Sequence, residues 1–537
     1  MKCFRANPRT AGILERLAHP STRATISDIC ELTGTAGLSL GVIHGGEVIH
    51  QSHFGYRDVD KKVGPNANST YHVGSMSKAM VAASFASLVH KGKLSWSTPL
   101  KELVPEYADP ATVTRLAELK SEANIEDLLA MRTGLPTANG LWVQQCQQLL
   151  VPKTETARIF GLLEPQHKFR LKMSYCNWSY ALAGEILERL AGSSLEQSTK
   201  GLRYDRLGLG TTTFGDPAED NHVTAYMTLT DRSPLAVPCP PLRSGRLLAA
   251  AGAAESSLTD LLTYYKALLK AAADQKESGK TETEGSPFFD VQYLWGPRAV
   301  INEHSHYGLG WVVTELPGQG GLVGVNSYES PRGLPTIAKG IPEPVQLVYH
   351  NGAMAGALSA VYLLPETQTG IVVLSNTFAL CDAPDWIAQF LVEASQNART
   401  HHVNTRKILA EERTLGAKPR ELSKYVGRYY NSIGNFYLDV AVHGDNGLRM
   451  TTQGYPFVHY DLSHYHYDVF AGDCDRDAET RRTIYPQWSP NFHRISSHQL
   501  QISLCKRLFK VCYRGYVAVG LLTGGARIFD GYSASEK

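Results

Sequence analysis

The stretch VGSMSKAM, residues 73–80, places a serine and a lysine three positions apart, Ser75 and Lys78. Small and apolar residues follow, and their pattern predicts a helix over residues 78–89 with apolar residues on one face, which stops near Gly92. Residues at i and i+3 share one face of a helix, about 5 Å apart along the axis. The spacing therefore puts a candidate nucleophile beside a candidate base, at the positive end of a helix dipole.

The chemistry of this pair depends on the state of the lysine. Burial lowers the pKa of a lysine amine, so Lys78 on an apolar helix could accept the serine proton. The alternative is an amine that reaches solvent from a packed helix. A second Ser-x-x-Lys, Ser503 and Lys506, lies in an alternating strand pattern, where i and i+3 point to opposite faces. Only the first copy predicts a catalytic pair.

A second element is Tyr175-Cys176-Asn177, directly before a predicted helix over residues 178–190. A phenol at Tyr175 could carry a proton to a leaving group. The Asn177 amide could cap the helix, hold Lys78 or bind a substrate carbonyl. The plainer interpretation is a packed tyrosine ring followed by an ordinary helix cap.

A third element, His350-Asn351-Gly352, ends the apolar run PVQLVYH and is expected at the edge of a strand. Gly352 would let a substrate lie close to the backbone. The N–H groups of Ser75 and Ala353 could together hold an oxyanion. His350 is expected to assist binding of the substrate or the leaving group.

The order of these motifs resembles the β-lactamase-like serine hydrolases: class C β-lactamases, penicillin-binding DD-peptidases, and related esterases and acyltransferases. The segments MRTGLP, YGLGW and VVLSN add to the resemblance, which covers roughly residues 37–395. It implies an α+β fold, with an antiparallel β-sheet flanked by helices and an all-helical subdomain. It also implies Ser75 as nucleophile, with Lys78 and Tyr175 sharing the acid–base work, and neither a metal nor an organic cofactor.

The substrate implied by the resemblance is a small-molecule ester, thioester or amide, with an acyl thioester as a possible donor. His350-Asn351 resembles the esterase and acyltransferase branches, some of which act in secondary metabolism. A β-lactamase or D-amino-acid peptidase and a catalytically inactive binding protein remain alternatives. Which of Lys78 and Tyr175 is the primary base, and the oligomeric state, stay open.

The pattern along the chain predicts strands at both ends of the catalytic region and helices between them. Gly45-Gly46 predicts a hairpin over residues 37–55, and strands are expected at 307–313, 356–365 and 370–376. Residues 273–287 are polar and predict a mobile loop, and residues 315–344 form a Gly/Pro-rich insertion.

Three regions are predicted from these changes in pattern. Residues 1–398 would form the catalytic domain, with a helical subdomain at about 78–270, and residues 399–420 a charged linker. Residues 421–537 alternate aromatic residues with turn signals and predict a small β-barrel, which resembles the lipocalin-like barrel that some members of the family carry.

Composition excludes several classes of function. The 537 residues are 43% hydrophobic with a net charge of +2, which gives no electrostatic basis for a nucleic-acid partner. Nine cysteines without a Cys-x-x-Cys pair argue against a disulfide framework or a zinc site. The sequence shows neither a signal-peptide pattern nor an apolar run long enough for a membrane span. We expect a cytoplasmic protein with no membrane partner.

Overall fold

The computed structural model describes residues 17, 19–138, 149, 151–217, 219–239, 241–329, 334–339, 341, 343–392, 421–430, 437–444, 447–452, 454, 459–466, 469–474, 476–481, 498–503 and 517–520. They form two compact units, with most of the described residues up to 392 in the first and those from 421 onward in the second. The predicted linker, 399–420, lies outside the described residues. The three-region division therefore stays a prediction.

The strands of the first unit are β1 (Gly37–His44), β2 (Glu47–Gly55), β3 (Thr70–His72), β4 (Tyr226–Thr228), β5 (Pro234–Ala236), β6 (Glu255–Ser257), β7 (Ala299–Asn302), β8 (Ser305–Tyr307), β9 (Val312–Leu316), β10 (Gly318–Gln319), β11 (Thr336–Ile337), β12 (Val345–Met354), β13 (Ala357–Leu364), β14 (Thr369–Ser375) and β15 (Thr377–Phe378). Eight of them form one antiparallel sheet in the order β2-β1-β14-β13-β12-β9-β8-β7. The predicted hairpin β1–β2 is confirmed, and the strands expected at 356–365 and 370–376 are β13 and β14, which pair antiparallel.

The helices are α1 (Pro20–Thr33), α2 (Ser77–His90), α3 (Leu100–Leu103), α4 (Pro105–Ala108), α5 (Glu118–Ser121), α6 (Ile125–Leu129), α7 (Thr156–Leu162), α8 (Asn177–Ala191), α9 (Leu195–Thr199), α10 (Asp205–Leu207), α11 (Ala249–Gly252), α12 (Leu258–Ser278), α13 (Val291–Trp295), α14 (Val325–Glu329), α15 (Ala383–Val392) and α16 (Arg476–Arg481). Helix α12 packs on β1 and β14, and α15 packs on β13 and β14. The α+β fold, a sheet flanked by helices with a largely helical region between its strands, is confirmed.

Helix α2 is buried on nearly every side, from Ser77 to Leu88. A helix that is buried all round belongs to a core, because it exposes no polar face to water. Its neighbours include α8, α9, α11 and α13. The residues at its N-terminus are therefore held between the helical region and the sheet.

Two local predictions from the sequence were wrong. The expected strand over residues 307–313 is interrupted between β8 and β9, where Gly310 has a φ of +80° and a Cβ would lie 2.8 Å from Ala79 Cα. The expected mobile loop over residues 273–287 begins as the last turns of α12, which ends at Gly279. Gln275 keeps those turns in place, because its buried amide bonds to Phe288 O and to the N–H of Val291.

The insertion over residues 315–344 carries short elements: β10 pairs with β11, and α14 lies between them. Asn326 anchors it to α15 by donating a hydrogen bond to Asp385 Oδ2 (2.8 Å). No helix in the described parts of the chain is both long and apolar enough to cross a membrane.

The second unit contains β16 (Gly427–Tyr430), β17 (Tyr437–His443), β18 (Gly447–Thr452), β19 (His459–His466), β20 (Val469–Cys474), β21 (His498–Ser503) and β22 (Val517–Gly520). They form one sheet in sequence order, antiparallel except for the pair β21–β22. Within the residues described, no pairing joins β16 to β22, so the predicted lipocalin-like barrel stays a prediction. Ser503 ends β21, as the strand pattern indicated, and Lys506 lies outside the described residues.

Candidate active site

Ser75 lies in a single 3₁₀ turn, Gly74–Met76, between β3 and α2. The chain before it is fixed on both sides: Val73 N–H donates to Ala254 O (3.0 Å), and Ser359 Oγ donates to Val73 O (2.9 Å). Gly74 has a φ of +52°, a conformation that glycine adopts most easily. The nucleophile candidate therefore follows a backbone held to both β6 and the main sheet.

The hydroxyl of Ser75 is the meeting point of two predicted partners. Lys78 Nζ lies 2.8 Å from Ser75 Oγ, and Tyr175 OH also lies 2.8 Å from it. Ser75 is half-buried, whereas Lys78 has no exposed surface. The structure thus brings Tyr175 to the Ser75–Lys78 pair, although Tyr175 and Ser75 are separated by 100 residues along the chain.

Lys78 is enclosed by uncharged groups. Its amine donates a second hydrogen bond to Ala251 O of α11 (2.7 Å) and lies 5.0 Å from the centre of the Tyr175 ring and 5.6 Å from that of Tyr180. Burial lowers the pKa of the Lys78 amine well below its ordinary value, because a desolvated ammonium is unfavourable. A larger fraction of Lys78 is therefore in the neutral form, which can accept a proton.

Tyr175 directly precedes α8, as the sequence predicted, but the helix cap differs. Cys176 is the N-cap residue and makes no side-chain capping bond, and Asn177 is the first residue of α8. The capping role considered for Asn177 was therefore wrong, because the helix begins one residue earlier than the pattern indicated. Asn177 is half-buried at this position, and its role towards Lys78 or the substrate stays a prediction.

His350 of β12 is fully buried and neutral. Nδ1 lies 2.6 Å from Asn351 O, which can only accept, so Nδ1 carries the proton and Nε2 accepts from Tyr307 OH (3.0 Å). Burial, and then the charge of Lys78, lower the pKa of His350 to about 3. Its ring centre is 6.5 Å from that of Tyr175, and its expected role in binding the substrate or the leaving group stays a prediction.

Gly352 and Ala353 lie against the turn that holds the nucleophile. A Cβ on Gly74 would come within 2.8 Å of Ala353 N, and a Cβ on Gly352 would come within 2.1 Å of Val73 O. The sequence-based reason for Gly352 was the approach of a substrate, and the structure gives a different one: contact between two protein backbones. This contact brings the Ala353 amide beside the segment that carries Ser75.

Sequence reasoning missed the surroundings of the motif residues. Ala251 supplies the carbonyl for Lys78, and Ser77 accepts from Ala254 N–H (2.9 Å) while donating to Gly74 O (2.6 Å). Tyr180 and Tyr307 form the aromatic wall around Lys78 and His350. Nothing in the run AAGAAESS over residues 250–257 singles out one carbonyl.

Comparison with known proteins identifies the family of the chain. The family model for beta-lactamases matches residues 23–394, and the chain belongs to the Beta-lactamase family. A beta-lactamase of Escherichia coli (strain K12) is 25% identical over 66% of this chain and 87% of its own length. Members of this family are generally serine hydrolases, which is the class that the fold and family define.

Two further similarities are weaker. Unguisins hydrolase ungD' of Aspergillus campestris (strain IBT 28561) is 22% identical over 58% of this chain, and the match spans 54% of the hydrolase. The solved octameric penicillin-binding protein homologue from Pyrococcus abyssi has a TM-score of 0.54 at 20% identity, covering 84% of this chain and 92% of that one. This last similarity concerns the fold alone.

Proposed function

We propose that the chain is a serine hydrolase or acyltransferase that forms an acyl-enzyme on Ser75 from a small-molecule ester, thioester or amide. The observation that carries the proposal is the arrangement around Ser75 Oγ, with Lys78 Nζ and Tyr175 OH each at 2.8 Å. A hydroxyl is a weak nucleophile until a neighbouring base takes its proton. The buried Lys78 amine meets both requirements of such a base, contact and a lowered pKa.

In the proposed reaction, neutral Lys78 takes the proton of Ser75 while Oγ forms a bond to the acyl carbon. The carbonyl electron pair moves onto the oxygen, which the N–H groups of Ser75 and Ala353 stabilise. Collapse of this intermediate breaks the bond to the leaving group, which takes its proton through Tyr175. Water or an acceptor alcohol or amine then releases the acyl group by the reverse steps, with Asn177 orienting the substrate.

The charge of the site favours neutral acyl substrates over β-lactams and D-amino-acid peptides. Those two classes carry a free carboxylate, and a site that selects them benefits from a fixed cation. Here burial disfavours the charged form of both Lys78 and His350. We therefore place esters and thioesters first and β-lactamase or peptidase activity second; the similarity to a protein named as a beta-lactamase supports the second arm.

The test is release of p-nitrophenol from p-nitrophenyl butyrate, together with the intact mass of the protein after mixing. The full-length protein is expected to gain the mass of one butyryl group, and Ser75→Ala is expected to gain none and to lose turnover by at least about 10³-fold. Ser503→Ala is the matched control, because it removes the serine of the other Ser-x-x-Lys. Retained turnover in Ser75→Ala would contradict the proposal.

The substrate preference needs a second comparison. A cephalosporin and a short acyl thioester, each supplied with and without an alcohol or amine acceptor, separate β-lactamase, hydrolase and transferase activity. The acyl thioester is expected to acylate Ser75 faster than the cephalosporin. An intact Ser75 site that no substrate in the panel acylates would favour an inactive binding protein.

A further inference from the structure

A second cluster of chemically active side chains lies in the first unit, away from the groups that surround Ser75 Oγ. It consists of His72, His222 and Glu255, whose ligating atoms all lie within 4.8 Å of one another. His72 and Glu255 are buried and His222 is half-buried. The mechanism proposed above uses none of the three.

The fold brings these residues together from three separate segments. β3 pairs antiparallel with β6, and His72 stands opposite Glu255, so the two side chains are cross-strand neighbours. His222 follows a 3₁₀ turn and lies beside the other end of β3 through an isolated bridge with Thr70. The edge-on contact of the two imidazoles, with ring centres 5.9 Å apart, closes the group.

The contacts in the cluster are short, but two of the atoms involved lack a partner with hydrogen-bond geometry. Glu255 Oε1 lies 3.1 Å from His72 Nε2, and Glu255 Oε2 lies 2.8 Å from His222 Nε2. Yet Glu255 Oε2 and His222 Nε2 have no partner with hydrogen-bond geometry among the residues described, although both atoms are buried. Two ligands of one tetrahedral Zn²⁺, each about 2.0 Å from the metal, lie about 3.3 Å apart. The two contacts, 3.1 and 2.8 Å, are shorter than this separation, so the side chains would move apart by about 0.2–0.5 Å to bind a shared ion.

Charge gives an independent reason for a cation. Glu255 is only 4% exposed, and a buried carboxylate requires a compensating charge. Within the described residues, no Lys or Arg nitrogen lies within ion-pair distance of it, and its two ion-pair contacts are both with histidine.

We propose that His72, His222 and Glu255 form a site for one divalent cation of the zinc type. Two imidazole nitrogens and one carboxylate suit Zn²⁺, and three protein ligands leave one position for water. A cavity of about 360 Å³, lined by His222, Thr224 and Cys239, lies beside the cluster on the His222 side. The composition of the chain led us to expect no zinc site, because that expectation rested on cysteine spacing, and this cluster contains no cysteine.

The ion would act on the structure and not on the acyl group. It would join β3 and β6, the two-stranded ribbon that continues through Val73 into the turn of Ser75. Binding to the folded state alone would raise thermal stability with zinc concentration, by mass action. The proposal does not depend on the acyl-enzyme chemistry.

The test uses the full-length protein stripped with EDTA, desalted, and dialysed against Zn²⁺ or Co²⁺. The protein is expected to retain one Zn²⁺ per chain, to melt at a higher temperature with Zn²⁺, and to show the visible absorption of tetrahedral Co²⁺. Glu255→Gln, which keeps the shape of the side chain, and His222→Asn are each expected to lower the affinity by at least about tenfold. His90→Ala is the matched control, because it breaks a more exposed His–Glu contact of 3.5 Å with Glu282.

Each alternative result overturns the proposal. Equal zinc binding by the wild type and by Glu255→Gln would identify an adventitious ion on other histidines. Absence of a Co²⁺ spectrum in the wild-type protein would mean that the cluster is a buried histidine–carboxylate pair only, and this result needs no variant to fold. Ester turnover measured on the same samples separates this failure from a failure of the proposed activity.

Discussion

Replacement of Lys78 by methionine tests whether this residue is the primary base. Methionine has nearly the length of lysine and suits a buried helix, but it can take no proton. General-base catalysis contributes about 10²–10⁴-fold, so acylation of Ser75 is expected to slow by that factor, about 3–5 kcal/mol in activation free energy. Folding is expected to persist, because the variant no longer buries an amine that prefers water.

The role of Lys78 as a base also fixes the direction in which the acylation rate changes with pH. At pH 7, about one ordinary lysine in 10³ is neutral, and each unit by which burial lowers the pKa makes that fraction about tenfold larger. The wild-type acylation rate should therefore fall as pH falls through the lowered pKa of Lys78, where the amine becomes charged. Folding stability should decrease in the same direction, because between the lowered and ordinary pKa values the unfolded chain binds the proton more readily. Lys78→Met should lack both effects.

The assay is stopped-flow release of p-nitrophenol, in which the burst reports acylation separately from release of the acyl group. Lys506→Met, in the other Ser-x-x-Lys, is the matched control and should behave as the wild type. Acylation by Lys78→Met within tenfold of the wild-type rate would refute the reasoning. Tyr175, the other group at 2.8 Å from Ser75 Oγ, would then be assigned as the base.

Three further substitutions test separate contacts. Tyr175→Phe should slow turnover of an alkyl ester by about 10²-fold but affect a p-nitrophenyl ester less, because the alkoxide is the poorer leaving group and needs a proton. Equal losses on both esters would exclude Tyr175 as the donor of that proton. Gly74→Ala should lower the free energy of unfolding by more than the roughly 1–2 kcal/mol of left-handed strain, since its Cβ would also lie 2.8 Å from Ala353 N. Gly92→Ala, also measured by urea unfolding, is the control, because Gly92 has a φ of +65° with open space around it. An equal loss of stability in the two variants would mean that the contact of the new Cβ with Ala353 N is harmless. Asp385→Asn should lower the free energy of unfolding by about 3 kcal/mol in the same assay. Four side chains donate hydrogen bonds to this buried carboxylate, and an amide cannot accept from all of them. An unchanged free energy of unfolding would show that the network is dispensable.

The part of the site that could be predicted from sequence is the part set by local spacing. Ser75 and Lys78 share a face because both begin one helical segment, and Tyr175 is placed by the start of another. The apolar run that ends at His350 predicted a strand, but the strand continues to Met354, so the expectation that His350 lies at its edge was wrong. In each of these cases, neighbours along the chain determine the backbone, and the backbone limits where the side chain can lie.

What sequence could not supply are contacts between segments that lack a shared motif. Ala251 offers only a carbonyl to Lys78, and every residue has one, so no residue type marks it. His72 and His222 are 150 positions apart, and Glu255 meets them through the pairing of β3 with β6 and the bridge of His222 with Thr70. The short strand β3 contains three residues, too few for a periodic pattern. Long-range packing decided these positions.

The ribbon of β3 and β6 connects these observations, because it serves both ends of the catalytic arrangement. From its β3 strand the chain passes through Val73 to Ser75, and just before its β6 strand Ala254 holds the N–H of Val73 and Ala251 holds the amine of Lys78. Nucleophile and base are thus positioned by one pair of segments. A shift of β3 against β6 would change the 2.8 Å contact between Ser75 and Lys78. An ion bound by His72, His222 and Glu255 on the same ribbon would limit that shift. An ion beside Ser75 would instead compete with the proton transfer that requires a neutral Lys78 amine.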